Sequence, residues 1–164
     1  MRIRGPRAPS ARQTYARAPP WAESLEIGAS VAIAGPPGAH AFSYTHAHYI
    51  LAADPTALPA IARWLDEAPG VRANGVTADV VVEIDHADEA DYPLTAHDRV
   101  KIRWVPRGSL AAEVMSVPIR SDDTFLFAAG EADSIRPLRA WSRNRLPASI
   151  CGYWKHGTAD ADEA

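Results

Sequence analysis

With 164 residues, 47% of them apolar, the chain has room for one domain with a sizeable core and little for a second. Charged residues make up 23% and no window approaches 18 unbroken apolar positions, which excludes wholesale disorder and a membrane span. The single cysteine, Cys151, cannot form an internal disulfide, which excludes a stapled secreted fold and favours a reducing, cytoplasmic compartment.

The net charge of −3 conceals an asymmetry: residues 1–20 carry five arginines and no acid, and the rest of the chain holds 12 basic and 20 acidic side chains. An acidic body argues against a nucleic-acid surface, which needs clustered positive charge. The basic start, with Pro6, Pro9, Pro19 and Pro20 and no apolar run, fits neither a signal peptide nor an amphipathic presequence. It reads as a mobile arm.

Ala29–Ala34 alternates weakly and is stopped by Gly35-Pro36-Pro37-Gly38, a short strand and turn. His48–Ala52 reads as a buried strand. The helix predicted over Thr56–Ala68 has Leu58, Ile61, Ala62 and Leu65 at helical spacing and ends at Pro69-Gly70. Val80–Ile84 is strongly β-branched, and Val100–Val105 forms another strand closed by Pro106. Ser109 is placed to cap a helix over Leu110–Met115. Thr124–Ala129 is the most apolar strand; Gly130 and Glu131 open a helix carrying Ile135, Leu138 and Trp141, which Pro137 shortens or kinks. Ile150–Trp154 makes the last strand, and residues 158–164 form an acidic tail. Apolar strands alternating with helices predict an α/β fold, a single doubly wound parallel sheet of about five strands with helices on both faces.

In such sheets ligands bind beyond the carboxyl ends of the strands. The first junction, Ala53–Pro59, offers Thr56 as a helix cap and the small Ala57 beside free N–H groups suited to a pyrophosphate; a plain capped helix is the alternative. At Gly130 the backbone passes close to something, either a ligand or, as favoured, a tight turn. The run Asp85-His86-Ala87-Asp88-Glu89-Ala90-Asp91 follows the second strand, where an acid often holds a ribose. Its oxygen density also suggests a divalent metal, but it lacks the glycine and spacing of a calcium loop, and a solvated loop is the commoner reading. Arg107 is either a phosphate clamp or a surface arginine. His40, His46 and His48 do not combine with an acid or cysteine into a metal site, so no metal is assigned. No nucleophile elbow is present, and Cys151 within a strand reads as inert. Tyr153 and Trp154 end the last strand beside Lys155, one ring facing the core and the other available for stacking.

Four blocks in order resemble the siderophore-interacting protein family. They are Tyr49–Arg63 (YILAADPTALPAIAR), Val100–Gly108 (VKIRWVPRG), Thr124–Ala132 (TFLFAAGEA) and Ser149–Gly157 (SICGYWKHG). The resemblance implies a flavin reductase related to ferredoxin–NADP reductases, in which an N-terminal barrel holds FAD and a C-terminal α/β domain, here residues 46–157, receives NADPH or NADH. Electrons then pass to a ferric siderophore, and the ferrous iron produced is held weakly and released. Carried over by position, Asp54, Thr56, Ala57, Leu58 and Pro59 match the dinucleotide junction, with Arg107 a candidate for a phosphate. Gly130 and Glu131 match the block facing the nicotinamide. Glu131, Tyr153 and Trp154 are the catalytic candidates, and Lys155 is the cation for an anionic siderophore. Pro55 stands where the family usually has glutamate, which removes a charge and an N–H.

Residues 21–45 resemble only the end of the flavin barrel. Most of the barrel is therefore read as missing, and no FAD site is assigned. The resemblance then implies two alternatives, the NAD(P)H-binding portion of a ferric-siderophore reductase or a truncated or degenerate module without redox activity of its own. It also implies apolar surface near Val31, Ile33 and Phe42, available for a flavin-carrying partner or self-association.

Overall fold

The structure, a computed structural model, describes residues 24–31, 44–68, 75–95 and 97–157. The chain divides into two units, Met1–Ala39 and His40–Ala164. In the first, Ala29 N–H donates to the Glu26 carbonyl at 3.0 Å and Gly28 takes a φ of 94° to make the turn. Of the strand expected over Ala29–Ala34, Ala29–Val31 are described and belong to no strand. Residues 32–34, the arm, Ile33, His40, Phe42, Pro69-Gly70 and the acidic tail lie outside the described residues.

The second unit is a five-stranded sheet, all parallel, in the order β3-β2-β1-β4-β5. The strands are β1 (His48–Ala53), β2 (Thr77–Ile84), β3 (Val100–Pro106), β4 (Thr124–Glu131) and β5 (Ala148–Trp154). Three helices connect them: α1 (Leu58–Glu67), α2 (Leu110–Ser116) and α3 (Ala132–Ser142). The α/β, doubly wound fold read from the sequence is thus the observed one. Among the described residues no helix is long and apolar enough to cross a membrane.

Successive side chains of a strand point to opposite faces, and β1 shows what this does at the sheet centre. Tyr49, Leu51 and Ala53 face α1 and join Leu58, Ile61, Trp64 and Leu65 in one cluster. Ile50 and Ala52 face the other way, toward Leu110 and Val114 of α2 and Ile135 and Leu138 of α3. Each fully buried aliphatic side chain contributes about 1.5–3 kcal/mol, so two-faced burial explains why every residue of β1 is buried. The edge strands β3 and β5 bury far less.

Three local expectations need correction. The helix after β1 starts at Leu58, two residues late, because Asp54 first caps a 3₁₀ turn over Pro55–Ala57. Gly130 and Glu131 are the last two residues of β4, and α3 begins at Ala132. Finally, of the two effects expected of Pro137, shortening does not occur: α3 continues past it to Ser142.

Candidate functional site

The chain runs outward from β1 to β2 and β3, then returns to place β4 against the other side of β1. The strand order therefore reverses between β1 and β4, and a crevice opens at their carboxyl ends. A cleft of about 200 Å³ lies there. Asp54, Pro55 and Thr56 line it from β1, Glu131 from β4 and Trp154 from β5. The remaining walls come from Glu83 and Ile84 at the end of β2, Asp85 and Glu89 after it, and Arg107 after β3.

Asp54, the first residue past β1, is almost fully buried and ties three strands together. Its Oδ1 accepts from the Thr56 N–H at 2.9 Å and the Thr56 hydroxyl at 2.5 Å. Its Oδ2 accepts from the Glu131 N–H and from the Trp154 indole N–H, both at 2.8 Å. A buried carboxylate is tolerable only when its lone pairs are met in this way. The same carboxylate explains Gly130. A Cβ built there would lie 2.6 Å from Asp54 Cγ, and Gly130 already has a φ of 145°. What the backbone passes close to at Gly130 is the Asp54 side chain.

These bonds revise the reading of the first junction. Thr56 does not cap α1; it donates to Asp54, and its N–H is not free for a ligand. Ala57 and Leu58 turn their side chains into the core, and Pro59, at the start of α1, is exposed outside the cleft lining.

Two other buried carboxylates are spent on backbone amides. Glu83 Oε2 accepts from the N–H groups of Gly108 and Leu110 at 2.9 and 3.1 Å, holding the turn before α2. It takes the capping role expected of Ser109, whose hydroxyl instead donates to the Pro106 carbonyl. Glu131 caps α3 through Ser134 N–H at 2.7 Å and tethers His156 N–H at 3.1 Å. The His156 amide, and then the Ser134 amide, hold the Glu131 carboxyl below the usual carboxylate range against the opposing effect of desolvation. With both oxygens engaged, its structural work is clear.

The acidic run after β2 is largely exposed and forms a 3₁₀ turn over Ala87–Asp91. Glu89 Oε2 accepts from Asp85 N–H at 2.9 Å, which folds the segment back toward the cleft. Asp85 Oδ2 then meets Arg107 Nη1 at 2.6 Å, and the guanidinium carbon stands 5.7 Å from the centroid of the Trp154 ring. The indole is thus held by Asp54 at its N–H and by Arg107 over its ring.

The structure brings Asp54, Thr56, Arg107, Glu131 and Trp154 together in one cleft. Gly130 is not among the lining residues and packs against the Asp54 carboxylate. Tyr153 is half exposed away from the cleft lining, and Lys155 Nζ lies 4.0 Å from Asp133 on α3. Residues missed by sequence reasoning are Glu83 and Ile84; their signal was position at a strand end, visible only once strand order is known. Among the described residues no group of three His, Cys, Asp or Glu side chains could hold a metal. His46 pairs with Asp123 and His48 with Thr77, at the opposite end of the sheet.

A family model described as siderophore-interacting protein matches residues 46–157, the stretch that carries the sheet and the cleft. The chain belongs to the siderophore-interacting protein family. It is 28% identical over 163 residues to an uncharacterized protein of Mycobacterium bovis, covering 86% of this chain and 56% of that one. It is 26% identical over 150 residues to the ferric vibriobactin reductase ViuB of Vibrio cholerae, covering 84% and 54% of the two chains. Among solved structures, the siderophore-interacting protein of Acinetobacter baumannii superposes with a TM-score of 0.67 at 25% identity, over 85% of this chain and 59% of the other. The chain therefore spans little more than half the length of these relatives.

Proposed function

We propose that this α/β domain is the nicotinamide-dinucleotide-binding portion of a flavin-dependent ferric-siderophore reductase. The observation that carries the reading is the cleft at the β1–β4 reversal in a member of this family. A relative named as a ferric vibriobactin reductase supports the same class of chemistry.

The residues present fit a dinucleotide unevenly. Asp85 and Glu89 offer acceptors for ribose hydroxyls. The amides of Thr56 and Glu131 are already taken by Asp54, and Arg107 is paired with Asp85 through Nη1, so a pyrophosphate would have to draw on the remaining N–H groups of that guanidinium. Asp54 fixes Thr56, Glu131 and Trp154 relative to one another, so the floor of the cleft is rigid before any ligand arrives. Glu131 and Trp154 act as positioning groups here. When bound, the dinucleotide would supply a hydride to flavin, and ferric siderophore would be the final electron acceptor. Tyr153 and Lys155 lie beyond the cleft, where the exposed cation suits an anionic siderophore. No residue of the cleft is assigned to FAD. The reading carries with it a cytoplasmic location and residues 46–157 as the functional domain.

The test is a titration of the full chain with NADH or NADPH, followed by amide resonances. Shifts concentrated at Asp54–Leu58, Asp85–Glu89 and Arg107–Gly108 are expected. Absence of shifts at these residues with both dinucleotides overturns the reading.

A further inference from the structure

We propose that the cleft selects NADH over NADPH, with Asp85 as the specificity-determining residue and Arg107 held as its counter-ion. This rests on the dinucleotide reading above and sharpens it.

Asp85 follows Ile84, the last residue of β2, and β2 is the direct neighbour of β1. In doubly wound sheets an acid at this place takes the adenosine ribose 2′-hydroxyl, and an arginine nearby accommodates the 2′-phosphate instead. Both residue types are present, so the question is which one is available. Arg107 is the sole cation among the described lining residues, and its Nη1 is 2.6 Å from Asp85 Oδ2. The guanidinium is also stacked over Trp154, which further limits its freedom to turn toward a phosphate. Asp85 Oδ1, by contrast, has no hydrogen bond among the described residues, and neither does Glu89 Oε1. Two acceptor oxygens suited to a diol thus remain, while the one cation is neutralised.

The wider field points the same way. Five carboxylates and one guanidinium line the cleft. A 2′-phosphate would add roughly two negative charges beside them, whereas a 2′-hydroxyl adds none and donates a hydrogen bond. Discrimination of this kind comes from the repulsive element as much as from the attractive one.

The experiment is calorimetric titration of the full chain with NADH and NADPH, in the wild type and in Asp85→Asn. The wild type is expected to bind NADH at least about ten-fold more tightly. Asp85→Asn keeps the side-chain size, removes the charge and releases Arg107, so the ratio should fall toward one or invert, mainly through a gain in NADPH affinity. On the wild type alone, raising the salt should narrow the ratio, because screening weakens the repulsion of the 2′-phosphate; this second measurement does not depend on the variant folding. Equal affinities, tighter NADPH binding, a ratio unmoved by salt, or an unchanged ratio in a folded Asp85→Asn protein overturns the selectivity. Failure of both dinucleotides to bind overturns the underlying reading as well, so the two failures are told apart.

Discussion

The two ends of the sheet both bury polar groups, yet they are built differently. At the carboxyl end, Asp54, Glu83 and Glu131 accept mostly from backbone N–H groups, and a cleft remains between them. At the amino end the polar side chains pair mostly with one another, although Asp123 also accepts from the Ala47 N–H at 2.8 Å. His48, 2% exposed, joins Thr77 through Nδ1 at 2.7 Å, with Nε2 at 3.4 Å from Asp79 Oδ2. Arg120 Nε lies 3.3 Å from that same oxygen, while His46 bonds Asp123 at 2.7 Å. That His48 Nε2 contact lies within ion-pair range but is not a hydrogen bond, and the atom is left unsatisfied. Side chains that use backbone amides fix the ends of several strands at once. Side chains that pair with one another tie β1 and β2 to the segment that leads into β4.

The largest effect should come from Gly130→Ala. The new Cβ would meet Asp54 Cγ at 2.6 Å on a backbone already at a φ of 145°. A loss of about 3–5 kcal/mol in denaturant unfolding is expected, from strain and displacement of the carboxylate together. A loss below ~1 kcal/mol would mean that Asp54 can move freely, which its four bonds deny.

Next in size, Asp54→Asn should cost about 1–3 kcal/mol, because the amide NH₂ must face N–H donors that the carboxylate satisfied. Asp79→Asn should cost less, since Asp79 meets one arginine and one imidazole at longer range. Equal midpoints for the two variants would erase the distinction between the two ends of the sheet.

The sheet was largely legible in the sequence because β1 and β4 are buried on both faces and therefore read as continuous apolar runs. Boundaries slipped where local chemistry competed: Asp54-Pro55 made its own 3₁₀ turn before α1 could start, and Thr77–Asp79 extended β2 through pairing with His48–Ile50. Trp64, 1% exposed, belongs to the core in a place where the helical pattern pointed to Ala62. The site was less legible. Asp85 and Glu89 look like any solvated acids until strand order sets the end of β2 beside that of β1. Nothing local to Gly130 reveals that its constraint comes from a residue more than seventy positions earlier.

Acid separates the two ends by a smaller effect and in two pH windows. Burial lowers the His48 pKa below its ordinary 6.5; nearby Arg120 adds to this, and Asp79 and the Thr77 hydrogen bond oppose it. Below about pH 6.5 the unfolded chain binds a proton that the native imidazole refuses, so stability falls as pH drops through the unfolded value. Glu131 has its pKa lowered from 4.5, so its contribution is intact above that value and is lost only as pH falls through the lower folded one. The amino end should therefore weaken first. Wild-type stability is expected to fall by about 1 kcal/mol between pH 7 and pH 5.5, and His48→Gln should flatten that slope. Glu131→Gln should leave the slope unchanged in that window and alter the pH dependence only below about 4.5. Parallel curves for His48→Gln and the wild type from pH 7 to 5.5 would show that His48 gains its proton in the native state as readily as in the unfolded one. Its burial between Thr77 and Asp79 would then have no bearing on acid sensitivity.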